Sequence, residues 1–227
     1  MPESCYLAAQ VRELDRLAIE EHGIAGFTLM QRAGKAAFRM VLKYWPGRTA
    51  LVCFCGSGNN GGDGYINAGL AKQHGLKASV IAVGSPDKLR GDARLAYEFA
   101  REQGVPVSDL DELPKHFFED TAEDTVIVDA LLGTGLTGEV RGDYAAAIAL
   151  INRVECPVLA ADIPSGLDSD TGKILGDAVN ADVTVTFIGR KLGQVIGNGP
   201  ACCGKLEFDD LAVPAAIYEG IAPATPE

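Results

Sequence analysis

Residues 51–64 read LVCFCGSGNNGGDG. An apolar run of strand length breaks into five glycines, two adjacent asparagines and one aspartate. Such a run, too short for a helix and bounded by glycines, reads as a buried strand that turns sharply into the next element. In α/β folds this turn is where ligands bind, because its glycines admit positive φ and close approach to the backbone. A phosphate loop of the P-loop type would need Gly-Lys-Ser/Thr here, and the stretch has none.

The pattern around the stretch repeats it. Apolar segments at 49–54, 78–83 (ASVIAV), 125–131 (TVIVDAL), 158–163, 183–187 (VTVTF) and 205–208 (KLEF) have strand character. Helical patterns at 62–74, 92–103 and 143–153 lie between them. Short apolar strands alternating with helices of ten or so residues predict a parallel, doubly wound α/β sheet. Two helices precede the first strand. One spans 11–22, with Val11, Leu14, Ala18 and Ile19 on one face and Gly23 closing it; the other spans 28–45, with Thr28 as its cap and Pro46-Gly47 as its stop. Residues 1–220 form one domain, and 221–227 (IAPATPE) read as a tail or the start of a linker.

The net charge of −11 and pI near 4.7 set the acidic surface against nucleic acid and anionic membranes. No apolar run reaches the length of a membrane span, and Met1-Pro2-Glu3-Ser4 lacks the basic and apolar blocks of a signal peptide, so a cytoplasmic protein is expected. Cys5, Cys53, Cys55, Cys156, Cys202 and Cys203 form no Cys-x-x-Cys pair and read as packing residues of a reducing compartment. His22, His74 and His116 fall at helix ends or in a loop and suggest neither a triad nor a zinc site.

Three strand-end loops then fall on one edge of the sheet. In 56–64, Asn59 and Asn60 offer neutral carbonyl oxygens and amide donors, which suit an alkali cation or a carboxamide better than a phosphate. The plainer reading is a tight strand-to-helix turn with Asp63 as a first-turn acid. In the second loop, Gly133, Gly135 and Gly138 leave backbone N–H groups open and Thr134 and Thr137 add hydroxyls, a nest for pyrophosphate. Asp129 lies within an apolar strand, either accepting N–H bonds from the turn or ligating a cation. In the third loop, Asp162 ends a strand and Pro164 stiffens the turn after it, a placement suited to acid–base work or to holding the loop. Asp168 and Asp170 read as solvated.

Together these segments resemble the NAD(P)H-hydrate epimerase family, the YjeF N-terminal type. The matching stretches are GSGNNGGDG (56–64), DALLGTGLTGEV (129–140) and DIPSGLDSDTG (162–172), with AAQVRELDRLAIEEHGIAGFTLMQRAG (8–34), ADVTVTF (181–187) and GKLEFDDLAVP (204–214) in support. The likeness runs from residue 7 to 214. It implies a Rossmann-like three-layer α/β/α sandwich with a mostly parallel doubly wound sheet and N-terminal helices. It also implies interconversion of the R and S epimers of hydrated NADH and NADPH (NADHX, NADPHX), supplying the S form to an ATP- or ADP-dependent dehydratase that is fused downstream in some members. Carried over by motif, Asn59, Asn60, Gly61, Gly62, Asp63, Gly133, Thr134, Gly135, Leu136, Thr137, Gly138, Glu139 and Asp162 contact the substrate, with Asp162 catalytic. One potassium ion per subunit would be held by Asn60, Asp129 and Ser165, and a homodimer is the expected assembly. Gln31, Ser57 and Leu192 depart from residues common in the family, and bear on packing or subunit contacts more than on chemistry.

Two other readings remain at this stage. A non-catalytic interaction or ligand-binding module of the same fold need not keep Asn60, Asp129 and Asp162 together. A Rossmann oxidoreductase predicts an acid at the end of the second strand, where Val83-Gly84-Ser85 stands instead.

Overall fold

The computed structural model describes residues 4–114, 117–118 and 122–225; His116 and the last two residues of the tail lie outside them. In chain order the elements are β1 (Cys5–Tyr6), α1 (Ala8–Arg16), a π-helical turn Leu17–Glu21, α2 (Gly26–Tyr44), β2 (Ala50–Cys55), α3 (Asn59–Gln73), β3 (Lys77–Ala82) and α4 (Gly91–Glu102). They continue with β4 (Val107–Asp109), β5 (Thr125–Ala130), α5 (Gly142–Arg153), β6 (Val158–Ala161), β7 (Val183–Phe187), β8 (Arg190–Lys191), α6 (Gly199–Cys203) and β9 (Lys205–Asp209).

Among the described residues, seven strands make one sheet in the order β4-β3-β2-β5-β6-β7-β9, and every neighbouring pair is parallel. The chain runs outward from β2 through β3 to β4, then returns beside β2 with β5 and runs the other way. The sheet is thus doubly wound, a Rossmann-like α/β layout whose strand order reverses between β2 and β5. That reversal opens a crevice at the carboxyl ends of the strands.

Burial on both faces explains the near-continuous apolar strands. Leu51, Cys53 and Cys55 pack with α1–α4 on one face, while Val52 and Phe54 pack with α5 on the other. Side chains alternate across a strand, so one run of six residues joins the two layers.

The boundaries differ from the sequence reading in ways that matter for the site. Helix α3 begins at Asn59, three residues earlier than its glycine content suggests, so the asparagine pair and Gly61-Gly62 form its first turn. Helix α2 begins at Gly26 with Ala25 at its cap position, and Thr28 lies inside the first turn. Strand β6 stops at Ala161 because Asp162 turns into the left-handed region at φ 66°.

Asp168 and Asp170 are not simply solvated. Asp168 accepts from the Thr171 N–H (2.8 Å) and hydroxyl (2.6 Å), and Asp170 accepts from the Ala8 N–H at the start of α1 (2.6 Å). The stretch 221–225 is docked, not free: the Ala224 N–H donates to the Cys5 carbonyl (2.8 Å) and Gln10 Nε2 to the Ala222 carbonyl (2.7 Å).

The short strands β1 and β8 pair in parallel and bring Tyr6 opposite Lys191. This pairing was invisible to periodicity, since two residues have none. It fixes the N-terminal helices against the open edge of the sheet.

Candidate functional site

The three loops meet. Strands β2, β5 and β6 are neighbours, with Cys55 paired to Ala130 and Asp129 to Ala160, so their carboxyl ends deliver residues 56–58, 131–141 and 162–168 side by side. Helices α1 and α2 close the opposite wall. The result is a cleft of about 610 Å³, within the usual range for small-molecule sites.

Its glycines act otherwise than expected. Among the described residues positive φ falls on other glycines and on none of the five in 56–64. What these positions exclude is a Cβ. On Gly56 it would overlap the Leu131 carbonyl, on Gly61 the Gly56 carbonyl, and on Gly64 the Ala130 Cβ and Cys55 Sγ. The turn is built by backbone packed on backbone. Only Gly58 opens to free space and lines the cleft. Gly61→Ala should therefore lower stability by about 1–3 kcal/mol through overpacking, read as a fall in the urea midpoint at unchanged slope. An unmoved midpoint would show that this wall yields freely.

Beneath the cleft, Asn60, Asp129 and Ser165 converge on one stretch of backbone. Asn60 Nδ2 donates to the Leu132 carbonyl (2.9 Å), and the Leu132 N–H donates to Ser165 Oγ (2.9 Å). Asp129, fully buried, accepts from Ser165 Oγ (2.6 Å), Ser165 N–H (2.8 Å) and Leu131 N–H (3.2 Å). Burial pushes Asp129 up to about 6, against the lowering by those three donors. Asn60 Oδ1 is buried with no hydrogen-bond partner among the described residues. A buried, orphaned amide oxygen beside a carboxylate and a hydroxyl is a set of hard oxygen donors with one negative charge. That set fits a monovalent cation. Among the described residues no group of three His, Cys, Asp or Glu is placed to hold a metal.

Asp162 stands at the end of the cleft nearest β8. Its Oδ1 is bonded by Lys191 Nζ, by the Phe187 N–H (3.1 Å) and by the Thr186 hydroxyl (3.5 Å). Lys191 is completely buried and also donates to Thr186 Oγ1 (3.0 Å) and the Phe187 carbonyl (3.2 Å). Gln194 Nε2 holds the Asp162 carbonyl (2.7 Å) and its Oε1 accepts from the Lys191 N–H (2.8 Å). Oδ2 has no partner among the described residues, and Asp162 lines the cleft.

Two more carboxylates face this pair. Asp15 comes from α1 and Asp63 from α3, and both line the cleft. Loss of solvent, followed by the Asp162 and Asp15 charges, holds Asp63 well above the usual carboxylate range, against the pull of Lys191. Loss of solvent likewise pushes Asp15 up to about 6, with Lys191 lowering it and Asp162 raising it.

Of the sequence-derived candidates, Asn59, Asn60, Asp63, Gly133, Thr134, Gly135, Leu136, Thr137 and Asp162 line the cleft. Among the described residues the lining does not include Gly61, Gly62, Gly138 or Glu139; Glu139 is exposed and paired with Arg141 (3.0 Å). Asp129 and Ser165 lie below it. Ser57 belongs to the wall, its N–H 3.4 Å from the Tyr144 hydroxyl, so this departure touches the site itself. Asp15, Lys191 and Tyr144 were missed. The one available signal was Lys191, a lysine beside Arg190 in a run otherwise rich in apolar residues and glycine.

Residues 26–193 match the family described as YjeF-related protein N-terminus. A Coxiella burnetii protein called bifunctional NAD(P)H-hydrate repair enzyme Nnr is 43% identical over 216 residues, covering 95% of this chain and 43% of that one. A Legionella pneumophila (strain Corby) protein called NAD(P)H-hydrate epimerase is 34% identical over 230 residues, covering 97% of this chain and 82% of that one. This chain thus spans less than half of the Coxiella protein and most of the Legionella one. The crystal structure of yeast ynu0 superposes with a TM-score of 0.80 at 23% identity, covering 98% of this chain and 96% of that one. That likeness concerns the fold.

Proposed function

The chain belongs to the YjeF-related protein N-terminus family, and from that membership and the cleft we propose that it is an isomerase interconverting the R and S epimers of NADHX and NADPHX. The observation that carries the reading is Asp162: a carboxylate fastened through one oxygen by a buried lysine, on a residue that lines the cleft. A module that only made protein contacts would have no use for that arrangement.

In the substrate the hydroxyl sits on the carbon bonded to the ring nitrogen. Asp162 assists departure of that hydroxyl as water, leaving an iminium, and water returns to the other face. A ring-opened aldehyde is the competing intermediate. The loop 133–137 and the start of α3 line the remainder of the cleft and suit the dinucleotide's backbone. Asn60, Asp129 and Ser165 would hold one potassium ion, which orders the loops and places substrate.

The S epimer is then consumed by an ATP- or ADP-dependent dehydratase. Relatives named as bifunctional, of which this chain matches 43% and 41%, have room for such a second activity. Among the described residues no helix is long and apolar enough to cross a membrane, and every cysteine is free and buried. A cytoplasmic homodimer is part of this reading, and sedimentation would test the dimer.

The test is R/S exchange followed by chromatography, with a hydride-transfer control. Exchange faster than the spontaneous background is expected; exchange at background would reject the function. Replacing potassium by tetramethylammonium should slow it at least about tenfold, a loss of about 1.4 kcal/mol in transition-state stabilisation. An unchanged rate would leave the ion without a role.

A further inference from the structure

The reaction already described uses one carboxylate, yet four line its cleft, and three of them face Lys191. Asp15 from α1, Asp63 from α3 and Asp162 from the end of β6 line one cavity, with Lys191 from β8 the buried cation among them. Lys191 is committed to Asp162, through the same oxygen that Phe187 N–H and Thr186 also bond. Three acids facing one ammonium repel one another, and like charges favour a proton on one of them.

Building on the epimerase reading, in which Asp162 assists departure of the hydroxyl from one face, we propose that Asp63 carries this proton and is the acid for the hydroxyl on the opposite face, Asp162 then being the base for the incoming water. Asp15 is a positioning residue whose negative charge keeps the proton on Asp63.

The two half-reactions balance. In the first, the ring-nitrogen lone pair forms C=N⁺, the C–O bond breaks with its electron pair on oxygen, and the Asp63 proton completes a water molecule. In the second, water attacks the other face, the C=N π pair returns to nitrogen, and the proton of the incoming water passes to Asp162 Oδ2. Proton transfer from Asp162 back to Asp63 through cleft water resets the enzyme. The reverse reaction exchanges the two roles, as an epimerase needs.

The direction of the Asp63 shift agrees: loss of solvent first, then Asp162 and Asp15. The other charged and titratable groups facing it are few. Arg12 lies on α1 and Asp92 on α4 at the cleft rim, Tyr144 on α5, and the Cys55 thiol, pushed up by burial, behind Gly64. Helix α2 contributes only apolar and small residues to this wall.

The experiment has two parts, both on the potassium-loaded full chain. Carbon-13 NMR titration of aspartate carboxyls in the wild type, with Asp63→Asn to assign the signal, reads the proton without using activity. A midpoint well above the usual carboxylate range is expected, and one within that range overturns the proposal. The pH profile of the exchange rate, above background, is then compared among wild type, Asp15→Asn and Asp63→Asn. Asp63→Asn should lower kcat by about 10²-fold. Asp15→Asn removes a like charge, so Asp63 loses its proton more easily and the alkaline limb moves to lower pH. A limb that stays in place, or an Asp63→Asn enzyme with more than about a tenth of wild-type kcat, rejects the assignment. Should Asp63→Asn fail to fold, Asp15→Asn still decides, since a purely structural residue would not move the limb. Absence of exchange in the wild type would reject the epimerase reading and leave the NMR result standing separately.

Discussion

Asp162→Asn is expected to slow epimer exchange by about 10²–10⁴-fold, the usual contribution of a positioned acid–base group. The substitution is nearly isosteric, and Asn tolerates the left-handed backbone that Asp162 adopts at φ 66°. The turn at the end of β6, held by the Asp162 N–H to the Val185 carbonyl (2.8 Å), therefore persists. The loss is chemical: an amide cannot take up the proton of the incoming water, and Lys191 no longer faces an anion. Since the change lies at the reacting carbon and not along the dinucleotide, kcat should fall far more than KM rises. The measurement is exchange at saturating substrate, with the spontaneous rate subtracted. Full activity with normal binding would remove Asp162 from the chemistry.

Each feature of the molecule was legible in the sequence to the extent that it depends on local pattern. The doubly wound sheet was readable because apolar strands separated by helices leave a periodic trace, and the three strand-end loops could be assigned to one edge from topology alone. Asn60, Asp129 and Ser165 sit in or beside those loops, and the structure does bring them together around Leu132. Asp15 left no trace because it lies on the polar side of an amphipathic helix, where a carboxylate looks solvated. Its environment is set by where α1 lands, against the core through Val11 and Leu14 and next to the β1–β8 pairing. Lys191 was hidden for the same reason: a two-residue strand carries no period, and only its tertiary neighbours reveal that the ammonium is buried. The glycines of 56–64 were recognised as special but for a partly mistaken cause, since backbone crowding cannot be read from spacing.

The same buried contact yields the largest expected effect on stability. Lys191→Met should destabilise the protein by about 3–5 kcal/mol, the range seen when one member of a buried ion pair is removed. Methionine fills a similar volume, so the loss is electrostatic and not a cavity. Asp162 keeps the Phe187 N–H (3.1 Å) and the longer Thr186 bond (3.5 Å), but its neutralising charge is gone. The Phe187 carbonyl also loses the donor at 3.2 Å. Partial exposure of the Asp162 side chain, 18%, lets water recover some of this and places the expectation near the lower end. Urea denaturation of wild type, Lys191→Met, Asp162→Asn and the double variant separates the terms. If the pair is a unit, the double variant is less destabilised than the sum of the singles, because no unpaired charge remains in it. Additive losses would mean that each residue is held by its own hydrogen bonds. A Lys191→Met midpoint equal to wild type would show that the ammonium contributes nothing to the fold, and would leave its place beside Asp162 to be explained by catalysis alone.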